Sequence, residues 1–98
     1  MAKLTTVYWR DIPAQVIAKE RRDTAKIVLT ERFAEAIDKA AMRAKMAGTD
    51  AYLEQWRREV VNCGRDLQAA ADEAAAKLEQ EFDDAHLEEL VKNGGIAG

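Results

Sequence analysis

Few side chains in this sequence could act as a nucleophile. The chain contains no serine, which excludes serine triads and serine–lysine pairs. Cys63 is the only cysteine and His86 the only histidine, so they form the one available pairing of a thiolate with an imidazole base. No third group is indicated that would orient the histidine, and a lone cysteine mostly behaves as a small apolar residue. We therefore expect no catalytic residue. An independent enzyme or a small anion-binding protein that uses Cys63 and His86 is the alternative.

Metal ligands are equally scarce. A structural zinc site needs four Cys or His ligands, and a di-iron helix site needs paired Glu-x-x-His motifs. One cysteine and one histidine meet neither requirement, and the nearest approach is the run Asp83-Asp84-Ala85-His86. The sequence also lacks a glycine-rich phosphate-binding motif. We expect neither a metal nor a cofactor.

Carboxylates are plentiful in two segments that are predicted below to be helical. They alternate with lysine and arginine, which is typical of a solvated helix face rather than of a catalytic acid–base pair. The residues concerned are Glu31, Glu35, Asp38, Glu73, Glu79 and Glu81. We expect these side chains to face solvent.

Tryptophan and arginine cluster at two places, Trp9-Arg10 and Trp56-Arg57-Arg58. Such side chains anchor protein interfaces because they bury a large area and still satisfy a polar end. We predict that these five residues bind a protein partner. The competing interpretation places both tryptophans in the core, with the arginines as edge-strand charges that discourage aggregation. At least one tryptophan is expected in the core.

The composition fits one folded, cytoplasmic domain. With 98 residues, of which 48% are hydrophobic and 34% charged, the chain can form a single core. Its apolar runs are far shorter than the ~20 residues that span a membrane, and one cysteine gives no reason to invoke an oxidising compartment. The formal net charge of −3 disfavours a nucleic-acid partner. An RNA-binding module that uses Tyr8, Trp9, Arg57 and Arg58 is a third candidate, which a basic sheet face would favour.

Three segments have the β-branched and aromatic composition of strands, namely residues 4–10, 14–19 and 57–63. Residues 24–47 are predicted to form one long helix, because apolar residues recur there every four positions. They are Ala25, Leu29, Phe33, Ile37 and Ala41. Lys26–Leu29 could form a strand on propensity alone, but the spacing is given more weight.

The later elements complete the fold. Thr49-Asp50 can cap a short helical turn before the third strand, Asp66 can cap a helix that ends near Phe82, and a last helical segment follows. The order β-β-α-β-α predicts an α+β fold in which two helices cover one face of a small three-stranded antiparallel sheet. Its other face is then open to water or to a partner. We place a single domain in residues 1–92 and a flexible tail in residues 93–98.

Three stretches carry a resemblance to a known family. They are YWRDIPAQV at residues 8–16, Arg32-Phe33 followed by Ala36-Ile37-Asp38, and YLEQWR at residues 52–57. In this order they resemble a small bacterial domain described as a virulence factor. The resemblance implies no catalytic residue, and as partners it implies enzymes of tetrahydrofolate- and corrinoid-dependent one-carbon metabolism. We therefore expect a non-catalytic accessory subunit that docks on a larger metabolic enzyme.

Overall fold

The computed structural model describes residues 2–46 and 48–96, and it confirms an α+β fold with an antiparallel sheet. Strands and helices follow one another in the order βββααβαα. The elements are β1 Lys3–Trp9, β2 Ile12–Glu20, β3 Asp23–Val28, α1 Glu31–Arg43, α2 Asp50–Glu54, β4 Trp56–Asn62, α3 Leu67–Glu81 and α4 Asp84–Lys92.

The strands form one antiparallel sheet in the order β3-β2-β1-β4. Tight turns join the first three strands at Arg10-Asp11 and Arg21-Arg22, and Arg10 and Arg21 each have a φ of 55°. The chain then passes through α1 and α2 before β4 pairs with the free side of β1. β3 and β4 are therefore the two edges of the sheet.

The prediction of a three-stranded sheet is wrong, because residues 23–28 form a strand rather than the start of a helix. Ala25 pairs with Ala18 of β2, and Ala25 is buried while Lys26 and Val28 are exposed. This two-residue alternation is that of a strand with one covered face. Ala25 and Leu29 matched the helical spacing because both are buried, one in the sheet and one in the loop after it.

The first helix is correspondingly shorter than predicted. Thr30 has an extended backbone, with φ −61° and ψ 161°, and α1 begins at Glu31. It ends at Arg43, after which Lys45 adopts a φ of 61°. Residue 47, the last of the predicted helix, lies outside the described residues.

Helix α3 covers one face of β2 and β3. Small side chains on the helix allow it to approach the sheet closely, over strand residues that are themselves buried. The helix contributes Ala71, Ala75 and Leu78, and the strands contribute Val16, Ala18 and Ala25. α1 packs on α4 and on β2, and these helices extend the same core through Phe33, Ile37, Leu87 and Leu90.

Glu79 of α3 holds the first turn of α1. Its carboxylate accepts hydrogen bonds from the Thr30 backbone N–H at 2.9 Å, from the Thr30 hydroxyl at 3.0 Å and from Arg32 at 2.9 Å. Burial alone would raise the pKa of Glu79, but the hydrogen bonds from Thr30 and Arg32 outweigh it and hold that pKa below its ordinary value. The expectation that Glu79 faces solvent is wrong, since its side chain is only 26% exposed.

The segment after α4 packs against the start of the β1–β2 turn. Gly94 and Gly95 are buried, and the Asp11 N–H donates to the Gly95 carbonyl at 2.8 Å. Arg10 donates to the Gly94 carbonyl at 3.0 Å. Both glycines belong to the predicted flexible tail, of which residues 97 and 98 lie outside the described chain.

Candidate protein-docking face

The sheet has a second face, opposite α3, on which side chains are assigned by strand register. Residues directly opposite one another in an antiparallel pair share a face, and alternate residues along a strand share it too. With the fully buried Trp9 left out, the face comprises Lys3, Thr5 and Val7 of β1, Gln15, Ile17 and Lys19 of β2, Thr24, Lys26 and Val28 of β3, and Trp56, Arg58, Val60 and Asn62 of β4. We call this set the open face.

Exposure confirms that helices do not cover most of the open face. Val28 is 67% exposed, Val60 56% and Trp56 37%, although each is an apolar side chain on a strand. Val16 and Ala18, which alternate with open-face residues on β2, are fully buried on the α3 side. On the α3 side the helix therefore covers β2 and β3, whereas β4 is exposed on both sides, with Val61 57% exposed. The other side is accessible except near α1 and α2, where Val7 is buried.

The open face is basic although the chain is acidic. It carries Lys3, Lys19, Lys26 and Arg58 and contains no carboxylate. Subtracting these four positive charges from the formal net charge of −3 leaves −7 for the rest of the chain. None of the ion pairs among the described residues involves any of the four cations. Their charges are thus available to a ligand of opposite sign.

The two tryptophans occupy different environments. Trp9 is fully buried, and its indole N–H donates to the Tyr52 carbonyl at 2.9 Å. Trp56 packs edge-on against the Tyr52 ring, with centroids 6.1 Å apart, and keeps 37% of its surface exposed. Trp9 is therefore the core tryptophan, and Trp56 is the one that a partner can reach.

The two arginines of β4 also lie in different environments. Arg57 lies on the other side of β4, where it pairs with Asp11 at 3.1 Å and Glu59 at 3.3 Å and stacks over Tyr8 at 4.4 Å. Burial raises the pKa of Tyr8, and the neighbouring Glu59 carboxylate raises it further. Arg58 projects from the open face, beside Val7 in the register.

The Arg10 side chain makes its contacts within the molecule. It donates to the Gln55 side chain at 3.2 Å and to the Gly94 carbonyl at 3.0 Å, and its guanidinium lies 5.4 Å from the centre of the Trp9 ring. Arg10 thus joins the β1–β2 turn to α2 and to the C-terminal turn. Of the five residues predicted to bind a partner, Trp56 and Arg58 lie together on the open face.

A cavity of about 250 Å³ adjoins the open face where the sheet meets α1 and α2. Val7 and Val28 form its sheet side, Ile37 and Asp38 its α1 side, and Tyr52 its α2 side. Burial raises the pKa of Tyr52, and the Asp38 carboxylate adds to that shift. This cavity was not predicted from the sequence, because residues 24–47 were expected to form one helix that included Val28. The alternation of Lys26 and Val28 with Ala25 was the available signal.

Cys63 and His86 lie at opposite ends of α3. Cys63 lines a cavity with Leu4 and Ala74, whereas His86 stacks on Phe82 with ring centres 4.7 Å apart. Ala74 and Phe82 are eight positions apart along the chain, which is about 12 Å at the rise of a helix. The structure does not bring the thiol and the imidazole together. Within residues 2–46 and 48–96, no three or more His, Cys, Asp or Glu side chains converge in a metal-binding arrangement.

The fold and the open face define a small α+β domain in which α3 covers part of one sheet face and most of the other face is accessible. A family model described as "Virulence factor" matches residues 7–91, and the chain belongs to this family. This confirms the resemblance found in the sequence, whereas the association with one-carbon enzymes stays a prediction. No curated protein and no solved structure matches the chain significantly. In the described part of the chain, no helix combines the length and the apolar character needed to cross a bilayer.

Proposed function

We propose that this domain is a non-catalytic interaction subunit that docks on a larger protein through its open face. One observation carries the proposal. Apolar side chains remain exposed on a regular sheet face whose cations, Lys3, Lys19, Lys26 and Arg58, have no carboxylate beside them. Exposed apolar side chains interspersed with cations that lack ion-pair partners are typical of an interaction site.

The charge distribution specifies the partner surface. Cations without an intramolecular ion pair lose little when a partner's carboxylates pair with them, and complementary charge also accelerates association. The exposed apolar residues Trp56, Val28 and Val60 then supply buried area between the chains. The partner surface is therefore acidic, with apolar residues that meet those on the two edge strands.

The partner class follows from the family resemblance rather than from the geometry. The proposed partner is a larger metabolic enzyme, and in the narrower form of the proposal a tetrahydrofolate- or corrinoid-dependent one-carbon enzyme. The domain would act by stabilising or assembling that enzyme, with no residue of its own taking part in the reaction.

A single-stranded RNA is the second candidate, and the absence of carboxylates from the open face favours it. RNA-binding sheets combine cations with aromatic side chains on which bases stack. Here Trp56 is the one aromatic residue among the exposed open-face positions, and it lies on an edge strand. The exposed valines on the two edge strands suit a protein surface better than they suit a base.

Site-specific photo-crosslinking in living cells tests the proposal. A photoreactive amino acid is placed at Lys26 or Val60 on the open face, and at Gln80 on α3 as the control. All three positions are exposed. We expect crosslinks from Lys26 and Val60 to one acidic protein, resistant to nuclease, and none to it from Gln80. Nuclease-sensitive products would replace the protein partner with RNA, and equal crosslinking from all three positions would contradict docking through this face.

A further inference from the structure

Three cavities join into one groove that leads onto the open face. The central cavity of about 250 Å³ shares Asp38 and Tyr52 with a cavity beside Met42. On its other side it shares Val7, Gln15 and Trp56 with a cavity that reaches Arg58. The groove therefore has two ends, one at α1 and one at Arg58.

The central cavity is sized for one side chain. Pockets that enclose metabolites and drug-sized ligands usually measure about 300–1,000 Å³, and this cavity measures about 250 Å³. An apolar cavity of about 150 Å³ is enough to hold benzene. One aromatic or long aliphatic side chain therefore fits the central cavity.

The chemistry of the groove differs between its centre and its ends. Val7, Val28 and Ile37 give the centre a mainly apolar lining, and the Asp38 carboxylate lies toward the α1 end. Arg58 stands at one end and has no ion-pair partner among the described residues. At the other end Met42 is 67% exposed, so the groove is not closed there. An occupant can therefore extend beyond both ends of the groove, as an extended polypeptide segment does.

We propose that the groove binds an extended segment of the protein partner, with one large apolar side chain in the central cavity and a carboxylate beside Arg58. The proposal rests on docking through the open face and specifies its central contact. Electrostatic pairing at Arg58 fixes the direction of the segment, and burial of the apolar side chain supplies most of the affinity.

Random twelve-residue peptides displayed on phage, selected against the purified chain, provide the test. We expect selected peptides to share an aromatic or leucine anchor with a carboxylate a few residues away. Ala34→Trp, which projects a large side chain into the central cavity, should weaken binding at least about tenfold, as should Arg58→Glu. Ala76→Trp on the exposed side of α3 is the matched control and should bind normally. Val28→Lys serves as a second cavity variant if Ala34→Trp does not fold.

Selection of no peptides, or of peptides that bind Ala34→Trp and Val28→Lys as well as the parent chain, would overturn the groove proposal. Crosslinking from Lys26 in the same variants distinguishes a failure of the groove proposal from a failure of docking through the open face. A crosslink to the protein partner that persists in Ala34→Trp leaves docking intact and removes the groove. Loss of that crosslink in Ala34→Trp but not in Ala76→Trp supports both docking through the open face and binding of the partner segment in the groove.

Discussion

Trp9 and Trp56 stand directly opposite each other in the β1–β4 register, yet Trp9 is fully buried and Trp56 is 37% exposed. Tyr52 lies between them, with ring centres 5.6 Å from Trp9 and 6.1 Å from Trp56. The core therefore ends at Tyr52 on this side of the molecule, and the surface that we assign to a partner begins at Trp56.

Replacing each tryptophan by phenylalanine should separate these roles. Trp9→Phe leaves a gap in the core and removes the hydrogen bond to the Tyr52 carbonyl, so it should cost about 1–3 kcal/mol of unfolding free energy. Trp56→Phe changes a partly exposed side chain and should cost less than about 1 kcal/mol. Urea unfolding followed by circular dichroism measures both. Equal losses would mean that the two side chains are equally buried.

The C-terminal turn should contribute to stability through Gly95. A Cβ at this position would lie 2.8 Å from a ring carbon of Trp9, and the residue has a φ of +92°. Gly95→Ala should therefore destabilise the fold by about 2–4 kcal/mol, since steric overlap adds to backbone strain. Gly48→Ala is the control, because its φ is +76° but no atom lies within 4 Å of the added Cβ. A smaller loss for Gly95→Ala than for Gly48→Ala would show that the turn does not pack on Trp9.

The interaction of Glu79 with Thr30 and Arg32 should make stability depend on pH. The pKa of Glu79 is lowered in the folded state, so its contribution is present above the ordinary carboxyl range, about pH 4, and is lost as the pH falls through the folded-state pKa. Glu79→Gln should cost about 1–2 kcal/mol at pH 7 and progressively less in acid.

The matched control is Glu73→Gln, which removes an exposed carboxylate from the same helix. Thermal unfolding of the three proteins between pH 2 and pH 7 gives the comparison, over a range that brackets ordinary carboxyl titration at about pH 4. A difference between Glu79→Gln and the parent chain that grows toward low pH would contradict the assigned direction of the pKa.

The two neighbouring arginines of β4 should differ in their effect on folding. Arg57→Ala removes the contacts with Asp11, Glu59 and Tyr8, and should lower the unfolding free energy by about 0.5–1 kcal/mol because the site is partly exposed. Arg58→Ala removes no such pair among the described residues and should change stability by less than about 0.5 kcal/mol. Chemical unfolding of both variants in low salt checks the order, and a larger loss for Arg58→Ala would reverse the assignment of faces.

The sequence predicted those elements whose local pattern had one interpretation. The first two strands, the short helix capped by Thr49 and the helix capped by Asp66 were all anticipated within a few residues. At residues 24–29 two patterns coincided, because Ala25 and Leu29 satisfy a helical spacing while Ala25, Lys26 and Val28 satisfy a strand alternation. Pairing with β2 decides between them, and that long-range contact is not visible in a local window.

The sequence predicted which residue types form the candidate site but not how the fold arranges them. Interface residue types pointed to Trp56 and Arg58, but adjacent residues on a strand face opposite sides, so Arg57 and Arg58 could not both belong to one surface. The groove forms where β3, α1 and α2 meet. It could not be predicted from the sequence, because β3 was predicted to be part of a helix. The basic character of the open face arises from lysines on three different strands, which no single segment reveals.

The central claim, that the open face docks on an acidic protein, is tested most directly by reversing charge on that face. Lys19→Glu/Lys26→Glu changes two open-face cations, and Lys39→Glu/Lys77→Glu makes the same change in net charge on exposed helix positions. Each tagged chain is expressed in the native cell, and the partner identified by crosslinking is quantified per domain by mass spectrometry. We predict that the open-face variant retains less than about one tenth of the partner, with an unchanged thermal midpoint, while the helix variant retains it fully. Full retention by the open-face variant, or equal loss in both, would contradict the account.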